Sequence, residues 1–493
     1  MKLNKISEYL KPYLVLNSLD IEVNGISYNS KNTQNGDIFV CMVGENSDGH
    51  DYAQMAVEKG ACAVIAQREL DLDVPILLVE NTSLALGQLA NLFYGFPSKN
   101  LYLVGVTGTN GKTTVTHLIE NIFEHSSKSC GLIGTLGQRI SSEAVYTEAK
   151  HTTPQAPELQ ATLRKMLDNK LENVVMEVSS HALEQHRIEG CEFNGAVFTN
   201  LTQDHLDYHI TMTNYSKAKS KLFSMLKNSK ENCFSVINLD DQYAMDMLNA
   251  TPGNAKILAY SIHNEKADII AKNIVYSSFG AKFDCKTPFG DKKINLQMTG
   301  EFSIYNALAA LCTGILSGID IDICIKALEA TKNVSGRFEV VSSKPLIIVD
   351  YAHTPDGLDN VLRAAKELIK EDGELICLFG CGGDRDATKR PKMAQIADKL
   401  ADTVIITSDN PRSEDPQQII TDILAGIKSL DGDRIYVEID RREAIERAVK
   451  LSKPNDVVVV AGKGHEDYQI LKNETIHFDD REEVKKAVNL FKI

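Results

Sequence analysis

The sequence predicts an α/β protein in three domains, and three observations carry that prediction. Apolar runs of strand length alternate with helical patterns from residue 100 to about 240. The alternation stops, then resumes with fresh strands after residue 334. Between the first apolar run (101–106) and an amphipathic run (115–123) lies the glycine-rich turn Gly105-Val-Thr-Gly-Thr-Asn-Gly-Lys-Thr-Thr114. A chain of 493 residues allows about three domains. We place them at 1–98, 99–333 and 334–493: a smaller N-terminal α/β domain, a central domain with a mostly parallel sheet, and a C-terminal Rossmann-like α/β domain.

Each element follows from local pattern. In the first domain, strands are expected at 37–43, 61–66 and 76–79, with helices at 51–59 and 83–93. Gly95-Phe-Pro-Ser98 closes this domain with turn chemistry. The central domain continues through strands at 173–178, 195–199 and 235–239. Short alternating runs broken by Gly and Pro at 267–298 predict a small antiparallel appendage, and a helix follows at 303–318. In the last domain, strands fall at 345–350, 374–379, 403–407, 434–439 and 456–461, with helices at 358–369, 392–400, 416–427 and 442–451 between them.

Composition excludes several classes. With 43% apolar and 24% charged residues the chain has the makeup of an ordinary globular protein with ample core. A formal net charge of −14 argues against nucleic acid or an anionic membrane as main partner. The ten cysteines are scattered with no Cys-x-x-Cys, as in reduced thiols of a cytoplasmic protein rather than a disulfide framework or zinc site. No apolar run reaches the ~20 residues of a membrane span, and none has the form of a signal peptide. A cytoplasmic protein without membrane insertion is expected.

The glycine-rich turn carries the first chemistry. Strand, turn and helix start together aim backbone N–H groups and the positive helix end at one spot, which suits phosphates. Gly108, Thr109, Asn110, Gly111, Lys112, Thr113 and Thr114 form this P-loop-type cradle; Lys112 can reach β/γ-phosphates and the Thr113 hydroxyl can ligate Mg²⁺. The usual motif has glycine where this chain has Val106, and a turn without a ligand is the alternative. Glu177 interrupts an apolar strand near its carboxyl end, where a carboxylate either holds a cation or pairs with a base. His205 alone reads as a structural histidine, but Asp204, His205, Asp207 and His209 crowd one strand-end loop, which favours a metal or phosphate role. The three lysines of 214–223 read, on spacing alone, as a solvated basic face. Four polar loops, at 349–357, 380–386, 409–412 and 462–467, follow four strands of the last domain and look like one assembled site.

The whole resembles the Mur ligases over nearly all of its length. Gly108-Thr-Asn-Gly-Lys-Thr113 is the form of the phosphate loop found in those enzymes, which accounts for Val106. The resemblance extends to His151-Thr-Thr-Pro154, to Glu177-Val-Ser-Ser-His-Ala-Leu-Glu-Gln-His-Arg187, to Asn200-Leu-Thr-Gln-Asp-His-Leu-Asp-Tyr-His209 and to Asp409-Asn-Pro-Arg412. It implies an ATP- and Mg²⁺-dependent ligase that adds meso-2,6-diaminopimelate to UDP-N-acetylmuramoyl-L-alanyl-D-glutamate through an acyl phosphate, and a monomer. It further implies that Ser30, Glu45, Asn46 and Ser47 contact the UDP end, and that Thr152, Thr153, Ser179, Gln185 and Arg187 hold the muramoyl-dipeptide. Lys112, Thr113, Glu177 and His205 match the ATP–Mg²⁺ centre, Lys219 the lysine that becomes a carbamate and ligates the metal, and Asn306 and Arg337 nucleotide contacts. Arg385, Asp409, Asn410, Pro411, Arg412, Gly462 and Glu466 match the diaminopimelate pocket. Arg412 offers a planar fork for a distal carboxylate; pairing with Glu414 or Asp415 is its bland alternative. The competing readings are a sister ligase that adds lysine, one that extends folate with glutamate, and a GTPase-type switch. The last would need an Asn-Lys-x-Asp motif, which is absent: the nearest look-alike, Thr202-Gln-Asp204, has no lysine.

Overall fold

The computed structural model describes the chain except residues 18–19, 45–46, 141–143, 145, 148–150, 227–231, 278–279, 333, 371, 429–433 and 492–493. Its contacts divide into two compact units. The first holds Met1–Gly105, Lys128–Ala196 and Lys221–Cys233; the second holds Val106–Ser127, Val197–Ser220 and Phe234–Ile493.

The first unit opens with strands β1 (Leu14–Leu16), β2 (Gly25–Ser27), β3 (Asp37–Val40), β4 (Ala63–Ala66) and β5 (Ile76–Leu78), in the order β1-β5-β4-β3-β2. All neighbours are parallel except β1, which runs antiparallel to β5. Both faces are covered, which explains why the strands read as unbroken apolar runs. Ile38, Val40, Ile65 and Leu77 pack with Leu86 and Leu89 of the helix Thr82–Phe93, while Phe39, Val64 and Leu78 pack with Ala53 and Ala56. That first helix starts where Asn81 accepts from Leu84 N at 3.0 Å, capping an otherwise unpaired N–H. The unit continues with β6 (Tyr102–Thr107), whose last two residues belong to the second unit, β7 (Cys130–Gly134), β8 (Gly137–Arg139) and β9 (Asn173–Glu177), in the order β6-β9-β7-β8.

The second unit begins with the turn after β6 and the helix Lys112–His125. Its first strand run is β15-β14-β13-β12-β11-β10, built from β10 (Gly195–Phe198, shared with the first unit), β11 (Phe234–Asn238), β12 (Lys256–Ser261), β13 (Ile269–Ser277), β14 (Gly280–Lys286) and β15 (Lys292–Leu296). The strands β13, β14 and β15 pair antiparallel and form the expected appendage. The helices Glu301–Leu316 and Ile321–Ala330 follow. A further sheet then builds from β16 (Glu339–Ser343), β17 (Leu346–Asp350), β18 (Leu375–Phe379), β19 (Thr403–Ile406), β20 (Ile435–Val437) and β21 (Val457–Ala461), in the order β16-β17-β21-β18-β19-β20. Only β16 is antiparallel. The helices Pro355–Lys366, Arg390–Leu400 and Pro416–Leu424 cover one face, and Arg441–Leu451 and Asp480–Phe491 the other. This doubly wound arrangement puts the carboxyl ends of β17, β18, β19 and β21 at one edge, where such sheets bind ligands. A hairpin, β22 (Tyr468–Ile470) and β23 (Thr475–His477), lies beyond.

The sequence pattern missed β1, β2, β7, β8, β12, β16 and the hairpin, and several helices, Leu3–Leu10, Ala156–Asp168, Ile321–Ala330 and Asp480–Phe491 among them. β1, β2, β8 and the hairpin strands are three residues long and β16 is partly exposed, so their apolar signal is thin; β7 is interrupted by Gly131, and β12 opens on two exposed residues, Lys256 and Ile257. Among the described residues no helix is long and apolar enough to cross a membrane.

Candidate active site

The glycine-rich loop is fixed by close backbone approach. Thr109 N donates to Asn200 O at 2.8 Å, Asn110 N to Asn200 Oδ1 at 2.9 Å, and Thr199 Oγ1 to Asn110 O at 2.6 Å. These bonds leave no room for side chains at two positions. A Cβ on Gly108 would lie 1.8 Å from Thr199 Oγ1, and one on Gly111, whose φ is +83°, would lie 2.4 Å from Asn306 Oδ1. Two lysines converge on the loop: Lys112 Nζ donates to Gly108 O at 3.0 Å and Thr109 O at 2.8 Å, and Lys219 Nζ donates to Gly108 O at 2.7 Å. Lys219 is 1% exposed. It is no solvated face: burial, and then the charge of Lys112, push its amine well below the ordinary lysine range, with Asp204 opposing. Arg337 donates to Thr113 Oγ1 at 3.1 Å and stacks over the Tyr351 ring at 4.5 Å. Lys112, Thr113, Lys219, Asn306 and Arg337 are thus brought together within the second unit.

Beside the loop lies a cleft of about 270 Å³ lined by Asn110, Asp240, Tyr305, Asn306, Arg337, Tyr351 and Asp356 among others. Asp356 accepts from Asn110 Nδ2 at 2.8 Å and from Asn360 Nδ2 at 3.2 Å. His205 adopts φ +53° at the start of the helix Leu206–His209, with Nε2 3.3 Å from Asp204 Oδ2. Asp204 is the hub of this loop: Lys389 Nζ lies 3.8 Å and His353 Nε2 4.0 Å from its carboxylate. Burial alone would raise Asp204, but the charges of His205, Lys389 and His353 hold it well below the usual carboxylate range. Burial and the charge of Lys389 push His353 down to about 4. Sequence reasoning saw the crowded loop but not these partners, which stand about 150 and 185 positions away, so no local pattern could reveal them. Among the described residues no three His, Cys, Asp or Glu side chains gather as a metal-holding group.

In the first unit, Glu177 is 1% exposed at the end of β9. Its carboxylate accepts from Thr135 N at 2.8 Å and Thr135 Oγ1 at 3.1 Å, and it makes no ion pair with a described residue. Thr135 Oγ1 lies 3.1 Å from Thr152 Oγ1. Thr153 Oγ1 donates to Glu177 O at 2.9 Å and accepts from Ser179 N at 3.0 Å. Arg187 donates to Thr153 O at 3.0 Å and to Gln185 Oε1 through both Nε and Nη2 at 3.1 and 2.6 Å. Thr152, Thr153, Glu177, Ser179, Gln185 and Arg187 therefore form one network. A cleft of about 480 Å³ in this unit is lined by Tyr28, Asn29, His151, Pro154 and Glu158, chain neighbours of Ser30, Thr152 and Thr153. Ser30 is buried, Ser47 is exposed with its carbonyl accepting from Gly44 N at 2.9 Å, and Glu45 and Asn46 lie outside the described residues.

The polar loops of the second sheet also converge. Asp409 and Asn410 are buried beyond β19; Asn410 Nδ2 donates to Glu466 Oε2 at 2.8 Å, and Gly462 N to Asp350 O at 3.0 Å. Pro411 is buried and Arg385 exposed, its Nη1 donating to Asp384 O at 2.9 Å. Arg412 does not pair with Glu414 or Asp415. Its Nη1 donates to Gly383 O at 2.8 Å and Asn410 O at 3.4 Å, whereas Glu414 accepts from Arg390 at 2.9 Å and Asp415 caps its helix through Gln417 N at 2.9 Å.

Comparison with known proteins matches three consecutive parts of the chain. The Mur ligase family, catalytic domain, matches residues 22–94; the Mur ligase middle domain, 106–314; and the Mur ligase, glutamate ligase domain, 336–464. A protein of Bacillus cereus named UDP-N-acetylmuramoyl-L-alanyl-D-glutamate–2,6-diaminopimelate ligase is 45% identical, over 99% of this chain and 98% of its own. One of the same name from Bacillus velezensis is 46% identical over 99% of both. A solved structure of a ligase with that name superposes with a TM-score of 0.69 at 33% identity, covering 100% of this chain and 99% of the other. With relatives of this identity matched from end to end, the chain belongs to the Mur ligase family.

Proposed function

We propose that the protein is the ATP-dependent ligase that joins meso-2,6-diaminopimelate to UDP-N-acetylmuramoyl-L-alanyl-D-glutamate. The observation that carries this reading is the meeting of Lys112 and buried Lys219 on one carbonyl of a phosphate loop, in a chain whose near relatives bear that name. The domains follow the division 1–98 for the UDP end, 99–333 for ATP and 334–493 for the amino acid. The protein acts as a cytoplasmic monomer on small-molecule substrates.

Joining a carboxylate to an amine requires the carboxylate to be activated. ATP's γ-phosphoryl passes to the dipeptide carboxylate; the amine attacks the acyl phosphate, and phosphate leaves. The loop Gly108–Thr114 cradles the phosphates through the backbone N–H groups that Asn200 does not take, and Lys112 neutralises charge on the transferring group. Asn306 and Arg337 hold the nucleotide in the cleft beside the loop. Thr152, Thr153, Ser179, Gln185 and Arg187 orient the dipeptide, with Ser30, Glu45, Asn46 and Ser47 at the UDP end. Arg385, Asp409, Asn410, Pro411, Arg412, Gly462 and Glu466 present the amine. Thr113, Glu177, His205 and Lys219 as its carbamate are the residues that would hold magnesium. Two features fit that ion: Glu177 is a buried carboxylate with no cationic partner among the described residues, and Lys219 is driven towards its neutral, nucleophilic amine. Magnesium, when bound, supplies charge neutralisation between the phosphates and the attacking carboxylate.

The test is phosphate release with each substrate omitted in turn. Release should need ATP, the UDP-dipeptide and the amino acid together, and GTP should not replace ATP. Rapid ATP hydrolysis by the protein alone would contradict the reading.

A further inference from the structure

The turn after β21 carries an ammonium with no route to water. Lys463 is 0% exposed, and a buried ammonium is costly unless both its donors and its charge are met. Its Nζ donates to Asn410 Oδ1 and to Glu466 Oε2, each at 3.1 Å, and sits 5.6 Å from the centre of the Tyr468 ring. Asn410 is committed on both ends. Its Oδ1 also accepts from Ile470 N at 2.9 Å, and its Nδ2 donates to Glu466 Oε2 at 2.8 Å. Glu466 Oε2 therefore takes two donors from the protein, while among the described residues nothing donates to Oε1. Asp409 stands beside this cluster, and the charges of Lys463 and Arg441 hold it below the usual carboxylate range against burial. Burial and the charge of Asp409 push Glu466 upward, and Lys463 opposes them.

We propose that Lys463 is a positioning residue of the amino-acid pocket. It ties Asn410 and one oxygen of Glu466 together, leaving the other oxygen for the substrate's ammonium, and its charge favours the ionised forms of buried Asp409 and half-buried Glu466. The proposal rests on the reading of this pocket given above. Without Lys463, the carboxylate of Glu466 loses the cation beside it and keeps only Asn410 Nδ2 on its Oε2. The substrate then meets a weaker, less firmly held acceptor, while ATP and the UDP-dipeptide meet an unchanged site.

The test uses the full chain, measuring phosphate release with diaminopimelate varied at saturating ATP and UDP-dipeptide. Lys463→Met should raise the KM for diaminopimelate about 30-fold, the scale of losing a hydrogen bond to a charged group, with the KM values for ATP and the UDP-dipeptide moving less than about threefold. In Lys463→Met/Glu466→Gln the charge imbalance is gone, so its KM should match that of Glu466→Gln alone. A role confined to general folding would not be cancelled by the second change. Should Lys463→Met fail to fold, the double variant carries the test, because it removes both members of the charged pair. A wild-type KM in Lys463→Met, or a double variant about tenfold worse than Glu466→Gln, overturns the proposal. If the unmutated protein does not use diaminopimelate, the reading of the pocket has failed, and the same comparison with the amino acid it does use still decides the role of Lys463.

Discussion

Replacing Arg412 by alanine tests the amino-acid assignment through one side chain. Arg412 sits at φ +53° in the loop after β19, with Nη1 anchored on Gly383 O at 2.8 Å and Asn410 O at 3.4 Å. Among the described residues its Nε and Nη2 have no acceptor, so the outer edge of the fork is free for a carboxylate to bind bidentately. Each charge-assisted bond contributes about 1.5–3 kcal/mol, and desolvation of the carboxylate offsets part of the pair. A net loss of about 2.7 kcal/mol corresponds to a KM for diaminopimelate raised about 100-fold, at about 1.36 kcal/mol per decade. Lysine has no distal carboxylate, so its weak use should change less than about threefold. The assay is phosphate release with each amino acid varied, alongside thermal unfolding to check that the lost carbonyl anchor leaves the fold intact. An equal loss with both amino acids, or none with diaminopimelate, would refute the reasoning.

Three further outcomes are expected. Lys219→Ala should lose activity by at least ~10²-fold, as is usual for a group that organises transition-state charge, and acetate or formate should restore part of it by filling the carbamate's place; full activity in the variant would exclude that role. Gly108→Ala places a Cβ 1.8 Å from Thr199 Oγ1, so overpacking should cost about 1–3 kcal/mol and weaken nucleotide binding, read by thermal unfolding and nucleotide titration. A variant that binds ATP as the parent does would show that the loop is looser than described. Ile210→Gly should stabilise the protein by about 1 kcal/mol, because this 76% exposed, β-branched residue holds φ +67° and buries almost nothing that glycine would forfeit; an unchanged or lower midpoint in denaturant would contradict the strain argument.

What could be read from sequence was whatever local pattern encodes. The turn at 105–114 announced itself because strand, glycines, lysine and helix are contiguous, and the strands of the second sheet did so because burial on both faces keeps them wholly apolar. The lysine helix was misleading for the opposite reason. Spacing alone made Lys219 a solvated residue, and only its fold-imposed place under Gly108 O shows it buried. Similarly, Asp204 gains its meaning from His353 and Lys389, and Asn410 from Lys463 and Glu466. The buried pair of Arg441 and Asp480, each 0% exposed at the side chain and bonded at 2.7 Å, lay in the same blind spot, since Asp480 opens a last helix that the pattern did not reveal.

The most direct measurement is product identity in a competition. The unmutated protein is incubated with ATP, magnesium, UDP-N-acetylmuramoyl-L-alanyl-D-glutamate and equal amounts of meso-diaminopimelate and lysine, and the nucleotide-linked product is weighed by mass spectrometry while phosphate is counted. The account predicts a product enlarged by one diaminopimelate residue, one phosphate released per product, and almost no lysine adduct. A product carrying mainly lysine, or phosphate released with no enlarged product, would contradict it.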